Sequence, residues 1–167
     1  AGAAGALAWM AVEWQRHGKP SVLGIISGAV AGMVAITPSC GFVSPMGALA
    51  IGLLAGIACF FASTSLKRAL GYDDSLDVFG VHGIGGLVGT IGIGLFASAA
   101  WGGTSGAIEG NWAQLGLQLA ACLIVMVYCG ALTFAILWGI EKLIGLRVNR
   151  ETEIEGLDVG LHGEVVP

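Results

Sequence analysis

Five apolar runs with almost no charge inside them leave this chain few ways to fold. They cover residues 1–14, 21–37, 45–66, 77–100 and 113–140. A helix rises ~1.5 Å per residue and a bilayer core is ~30 Å thick, so about 20 apolar residues make one span. The first run reaches only ~21 Å. It reads as the end of a span that starts ahead of Ala1, so an N-terminal part of the protein is expected beyond this sequence. The fifth, at ~42 Å, is predicted to tilt or protrude. Lipid offers no partner to a backbone N–H or C=O, so runs this long predict helices. The expected fold is all-α: a polytopic transmembrane helix bundle over residues 1–145, followed by a tail over 146–167.

Composition agrees. Only 11% of the 167 residues are charged, against about 25% in soluble domains. The net charge of −4 comes from acids grouped in the tail and one loop, and no basic stripe suits nucleic acid. Pro38 disfavours helix just ahead of it and so closes the second span. Pro45 suits the first turn of the third.

The basic residues sort by side. Successive flanks carry Arg16 and Lys19, then none, then Lys67 and Arg68, then none, then Lys142, Arg147 and Arg150. Cytoplasmic loops collect Lys and Arg. The alternation therefore predicts five consecutive spans, with the N-terminal end of the sequence outside and the tail in the cytoplasm. Trp101 and Trp112 bracket one outer loop, as interfacial aromatics do. The expected location is a cell membrane, inner or plasma, crossed several times.

Glycine spacing predicts how the spans touch. Gly24, Gly28 and Gly32 recur every four residues, as do Gly52 and Gly56. Gly80, Gly83, Gly86, Gly89 and Gly92 recur every three, with Gly85 and Gly94 beside them. Small residues let helix backbones approach closely in lipid, so a tight bundle with narrow interhelical space is expected.

Several chemistries find no support. Residues 83–89 do not spell GxGxxG, no strand precedes them, and no GxxxxGK[ST] occurs, which argues against nucleotide binding. Cys40, Cys59, Cys122 and Cys129 form no CxxC pair and read as small apolar residues, with no zinc site or disulfide framework. No nucleophile set stands out. Neither an enzyme nor a bound cofactor or metal is expected.

One ionisable group lies well inside an apolar run: His82. Such a residue is costly in a membrane and usually faces a bundle interior or a pathway. A neutral imidazole offers one donor and one acceptor on a flat ring, and an imidazole can relay a proton. A ring that only binds two neighbouring helices together is the structural alternative. Asp77, at the start of the same run, reads as a helix cap or as a cation attractor at an inner vestibule. Asp77 and His82 are five apart and do not share a helix face. His17 lies in a basic loop and is expected in water.

Three segments carry a family resemblance. Asp77-Val-Phe-Gly-Val-His82-Gly-Ile-Gly-Gly86 resembles the second histidine segment of the ammonium transporter (Amt/Mep/Rh) family. Ile36-Thr-Pro-Ser-Cys-Gly-Phe42 resembles a turn between two earlier helices of that family, and Gly156-Leu-Asp-Val-Gly-Leu-His-Gly-Glu164 is similar to its cytoplasmic tail signature. The resemblance implies an eleven-helix inverted-repeat channel fold, of which this chain holds five helices. It also implies a homotrimer with one narrow hydrophobic pore per protomer, carrying ammonium or ammonia past a pair of histidines. His82 matches the second histidine, and Val78 and Val30 match pore-lining positions. The tail residues Gly156, Leu157, Asp158, His162, Gly163 and Glu164 match a regulatory segment, implying a PII signal protein as partner. The sequence then ends Val165-Val166-Pro167, where family tails often continue to an aromatic. The runner-up reading is a structural membrane subunit without a solute path.

Overall fold

The computed structural model describes residues 1–164. The Val165-Val166-Pro167 ending lies outside the described residues. Six helices carry the fold: α1 (Gly2–His17), α2 (Val22–Ile36), α3 (Pro45–Phe61), α4 (Ile84–Phe96), α5 (Trp112–Leu143) and α6 (Arg150–Glu155). A wide π-turn, Ala62–Leu66, extends α3 and leads into a last turn, Lys67–Leu70. A second, Phe79–Gly83, precedes α4. Among the described residues no sheet forms; Val43 and Ala97 make an isolated antiparallel bridge.

Four stretches are long and apolar enough to cross a membrane: Val22–Ser39, Pro45–Leu70, Phe79–Phe96 and Trp112–Leu143. Helix α1, with 16 residues, reaches ~24 Å. The fourth run does not continue as one helix to residue 100. It stops at Phe96, and a separate turn covers Ala99–Gly102. Ala97 bridges to Val43, and the N–H of Ser98 donates to the Phe42 carbonyl at 2.9 Å. Those extended contacts turn the chain out of the helix.

Local chemistry sets the helix starts. The Ser21 hydroxyl accepts from the Gly24 N–H at 2.9 Å and donates to the Glu13 carboxylate at 2.8 Å. One side chain thus caps α2 and ties it back to α1. Ser44 caps α3 through the Gly47 N–H at 3.2 Å, with Pro45 in the first turn.

The chain divides into two units, Ala1–Leu123 and Ile124–Pro167. In the first, α1 packs on α2 and α3, and α4 packs on both α2 and α3. Its core has two clusters. One joins Trp9, Ala31, Cys59, Phe60 and Val81; the other joins Ala35, Val43, Ile51 and Ala55. The four-residue glycine stripes lie in the packed faces, with Gly24, Gly28, Gly32, Gly52 and Gly56 all buried. A β-carbon on Gly28 would come within 2.5 Å of the Trp9 β-carbon and 2.7 Å of the Gly5 carbonyl. Any side chain there would force α1 and α2 apart.

The second unit holds the rest of α5, a connection, α6 and a terminal turn. Asn149 caps α6 through the Thr152 N–H at 2.8 Å. Arg147 pairs with Glu153. No residue of α5 is buried, and its most apolar 18-residue stretch has a mean hydropathy of 2.4, which suits contact with lipid.

Candidate functional site

The site is built where the two π-turns meet. A π-turn holds one residue more than an α-turn and often occurs at functional sites. In the first, the Thr64 hydroxyl donates to the Phe60 carbonyl at 2.7 Å. In the second, the Val81 carbonyl accepts from the buried Cys59 thiol at 3.7 Å. The turns touch at Ser63 and Gly80: a β-carbon on Gly80 would lie 2.9 Å from the Ser63 nitrogen and 3.0 Å from its α-carbon. The Gly80 backbone meets both the hydroxyl and the backbone of Ser63, so the contact fixes the depth of one span against the other.

His82 sits on the opposite, open side of the second π-turn. Val81, its neighbour, is buried at 5% exposure, while His82 is exposed. Val78 is exposed as well, and a β-carbon on Gly86 would meet nothing within 4 Å. Val78, His82 and Gly86 follow at four-residue intervals, close to one turn each. They form a single unpartnered strip of small, apolar and imidazole surface. Val30 is placed differently. It is half-buried and packs on the Trp9–Phe60 cluster. The structure therefore brings Val78 and His82 together and sets Val30 on the packed side of α2.

Charge organises the start of this strip. The capping carboxylate is that of Asp74, which accepts from the N–H groups of Val78 at 2.8 Å and Phe79 at 2.9 Å. Asp77 contributes through its backbone, its carbonyl accepting from the Val81 N–H at 2.8 Å. Its carboxylate instead takes the Lys67 ammonium at 2.8 Å. The same ammonium donates to the Asp74 carbonyl. Asp77 has φ 54°, in the left-handed region that Asp tolerates better than most residues. That conformation turns its side chain away from the free N–H groups and toward Lys67. Two acidic residues three apart ahead of an apolar run, Asp74 and Asp77, are the sequence signal for this arrangement.

The remaining sites lie elsewhere. His17 ends α1, exposed, with its ring 6.0 Å from that of Phe60. In the tail, Gly156 and Gly163 have φ 103° and 66°. The Glu164 N–H closes the terminal turn on the Asp158 carbonyl at 2.9 Å. Leu157, Asp158, His162, Gly163 and Glu164 are exposed. In the loop after α4, hydrogen bonds from the Ser98 hydroxyl, the Ala99 N–H and the Ser105 hydroxyl hold the Glu109 carboxyl below the usual carboxylate range. No group of three or more His, Cys, Asp or Glu suited to a metal ion occurs among the described residues.

Helices of this length and apolarity, with an imidazole on the open face of one of them, define a multi-pass helical membrane protein. Comparison with known proteins is more specific. Residues 1–166 match the Ammonium Transporter Family, and the chain belongs to that family. It is 47% identical over 159 residues to an ammonium transporter of Aquifex aeolicus, covering 95% of this chain and 37% of that protein. It is 43% identical to an ammonium transporter of Bacillus subtilis, covering 98% of this chain and 41% of that protein. The crystal structure of Saccharomyces cerevisiae Mep2 superposes with a TM-score of 0.83 at 32% identity, over 90% of this chain and 35% of that one. The chain thus spans little more than a third of the length of these relatives.

Proposed function

We propose that this chain is the C-terminal part of a membrane transporter for ammonium, and that His82 is one of two histidines lining its path. Membership of a family whose relatives are named ammonium transporters carries the reading, and the family consists of transporters and not enzymes. The open strip of Val78, His82 and Gly86 supports it chemically. An isolated ammonium ion in a dry, narrow path costs several kcal/mol or more. Loss of its proton at the outer mouth leaves ammonia, which a neutral imidazole contacts as donor or acceptor without adding a fixed charge.

In this reading the chain supplies five helices of an eleven-helix inverted-repeat fold, and three copies assemble as a homotrimer. The other half of the path and the first histidine come from the rest of the polypeptide. The alternating basic flanks support a cytoplasmic tail. There Gly156, Leu157, Asp158, His162, Gly163 and Glu164 form part of a docking segment for a PII signal protein. Asp77 lies at the inner mouth and Val30 borders the path from α2.

The test is uptake of isotope-labelled methylammonium by vesicles containing the full-length transporter. Saturable uptake that ammonium competes away is expected, and His82→Ala should change its rate or its selectivity. Uptake with no saturation would reject the transport reading, and an unaltered His82→Ala variant would remove the histidine from the path.

A further inference from the structure

The spans that touch at Ser63 and Gly80 are also tied by charge, one turn nearer the basic loop. We infer that Lys67 is a positioning residue for the substrate path, acting through Asp77 on the turn that presents Val78 and His82. The inference rests on the transport reading above and adds to it the group that sets the path's geometry.

The argument starts with Asp77. A non-glycine residue at φ 54° persists only where its surroundings over-determine it. Here they do so from both sides. The Asp77 carbonyl accepts from the Val81 N–H at 2.8 Å, and its carboxylate is held by Lys67 at 2.8 Å. Val78 follows Asp77 directly, and His82 lies five residues on. Whatever sets the Asp77 backbone therefore sets the rotation of the strip.

Lys67 also steadies the second support. Its ammonium donates to the Asp74 carbonyl, while the Asp74 carboxylate caps Val78 and Phe79. One cation thus holds two acidic residues within a single turn. Without it, the Asp77 carboxylate loses its cation and a left-handed residue loses its anchor. The turn is then free to rotate. The Ser63–Gly80 contact would stay in place, because it is close packing and needs no charge. The movement is therefore centred on residues 74–79, which carry Val78 and lead into the turn of His82.

The test uses the full-length transporter in vesicles. With Lys67→Met, maximal methylammonium uptake should fall about two- to fivefold, as for the loss of a partly exposed ion pair, with little change in half-saturation. Lys67→Arg, which keeps the cation, should restore most of the rate. Asp77→Asn keeps a residue that tolerates the left-handed region and removes only the charge. It should reproduce the loss, and combining it with Lys67→Met should add nothing further. It also reads the contact if Lys67→Met does not accumulate in the membrane. Wild-type uptake from Lys67→Met, or an Lys67→Arg variant as poor as Lys67→Met, overturns the inference while leaving transport intact. Absence of saturable uptake in the wild type overturns the transport reading and the inference together.

Discussion

The hydroxyl of Ser39 donates to the carbonyl of Gly89 at 3.0 Å, with Ser39 at 0% exposure. This single bond joins the turn after α2 to the middle of α4, 50 residues further along the chain. Its neighbour contact is steric. A β-carbon on Gly89 would collide with the Ala35 carbonyl and lie 2.9 Å from the Pro38 ring. The two residues should therefore respond unequally to substitution. Ser39→Ala should destabilise by about 0.6–1.7 kcal/mol, the range for hydrogen bonds between membrane helices. Gly89→Ala should cost more, because backbone cannot yield. Unfolding of the two variants in detergent, monitored by circular dichroism, reads the difference; equal losses would contradict the steric account.

The cap at the start of the second π-turn gives a second prediction. Asp74→Ala removes the acceptor for both the Val78 and Phe79 N–H groups. Loss of a helix cap costs about 0.5–2 kcal/mol. Amide exchange at Val78 and Phe79 should accelerate, and that at Gly89 and Gly92 should not. Uniform acceleration along the helix would mean that the cap serves the whole span.

Acid should loosen the loop between α4 and α5 in a defined direction. The Ser98 hydroxyl, the Ala99 N–H and the Ser105 hydroxyl lower the Glu109 carboxyl's affinity for a proton in the folded loop. A depressed carboxyl adds stability that is fully present above the free-carboxylate value. It is lost as pH falls through the lower, folded value. Between pH 7 and about 5 the loop should keep its resistance to proteolysis, since free Glu titrates near 4.3. Further acidification should expose residues 97–111. A Glu109→Gln variant should be more easily cut at neutral pH and less sensitive to acid. Loosening that begins near pH 6 would assign the effect to another group.

The tail offers a fourth prediction. Removing residues 155–167 should weaken capture of a PII protein by the detergent-solubilised full-length transporter. Transport by the same deletion should persist, because the proposed path residues, Val30, Val78 and His82, lie outside the deleted segment. Undiminished capture would place the docking surface elsewhere.

The all-α bundle was legible because run length and lipid leave the backbone no other way to satisfy itself. The family was legible in three short segments at the right spacing. The four-residue glycine stripes marked packed faces, but the three-residue stripe did so only in part. Steps of three fall about 60° short of a full turn, so the stripe winds around α4. Gly80, Gly89 and Gly92 are buried, whereas Gly86 looks onto open space. The cap was harder to read. Asp77 stands next to the apolar run and takes the role by proximity, yet its left-handed backbone sends its carboxylate to Lys67 and leaves capping to Asp74. That exchange depends on the path of the loop between them, which no spacing rule describes. The π-turns carry no sequence period of their own.

Those wide turns also say how the chain would answer to a missing amino acid. Each contains one residue beyond the α-helical count, and a residue corresponds to about 100° of rotation. Deleting one position within Phe79–Gly83 would let the helix close into ordinary α geometry with its ladder of hydrogen bonds complete. The swing that such a loss causes in an unbroken α-helix would be absorbed by the closing of the wide turn, so Asp77 would keep its side and the glycine-packed remainder would stay seated. A lesion of that kind would be tolerated here, whereas the same loss in the middle of α2 or α3 would turn one end of the helix away from its neighbours.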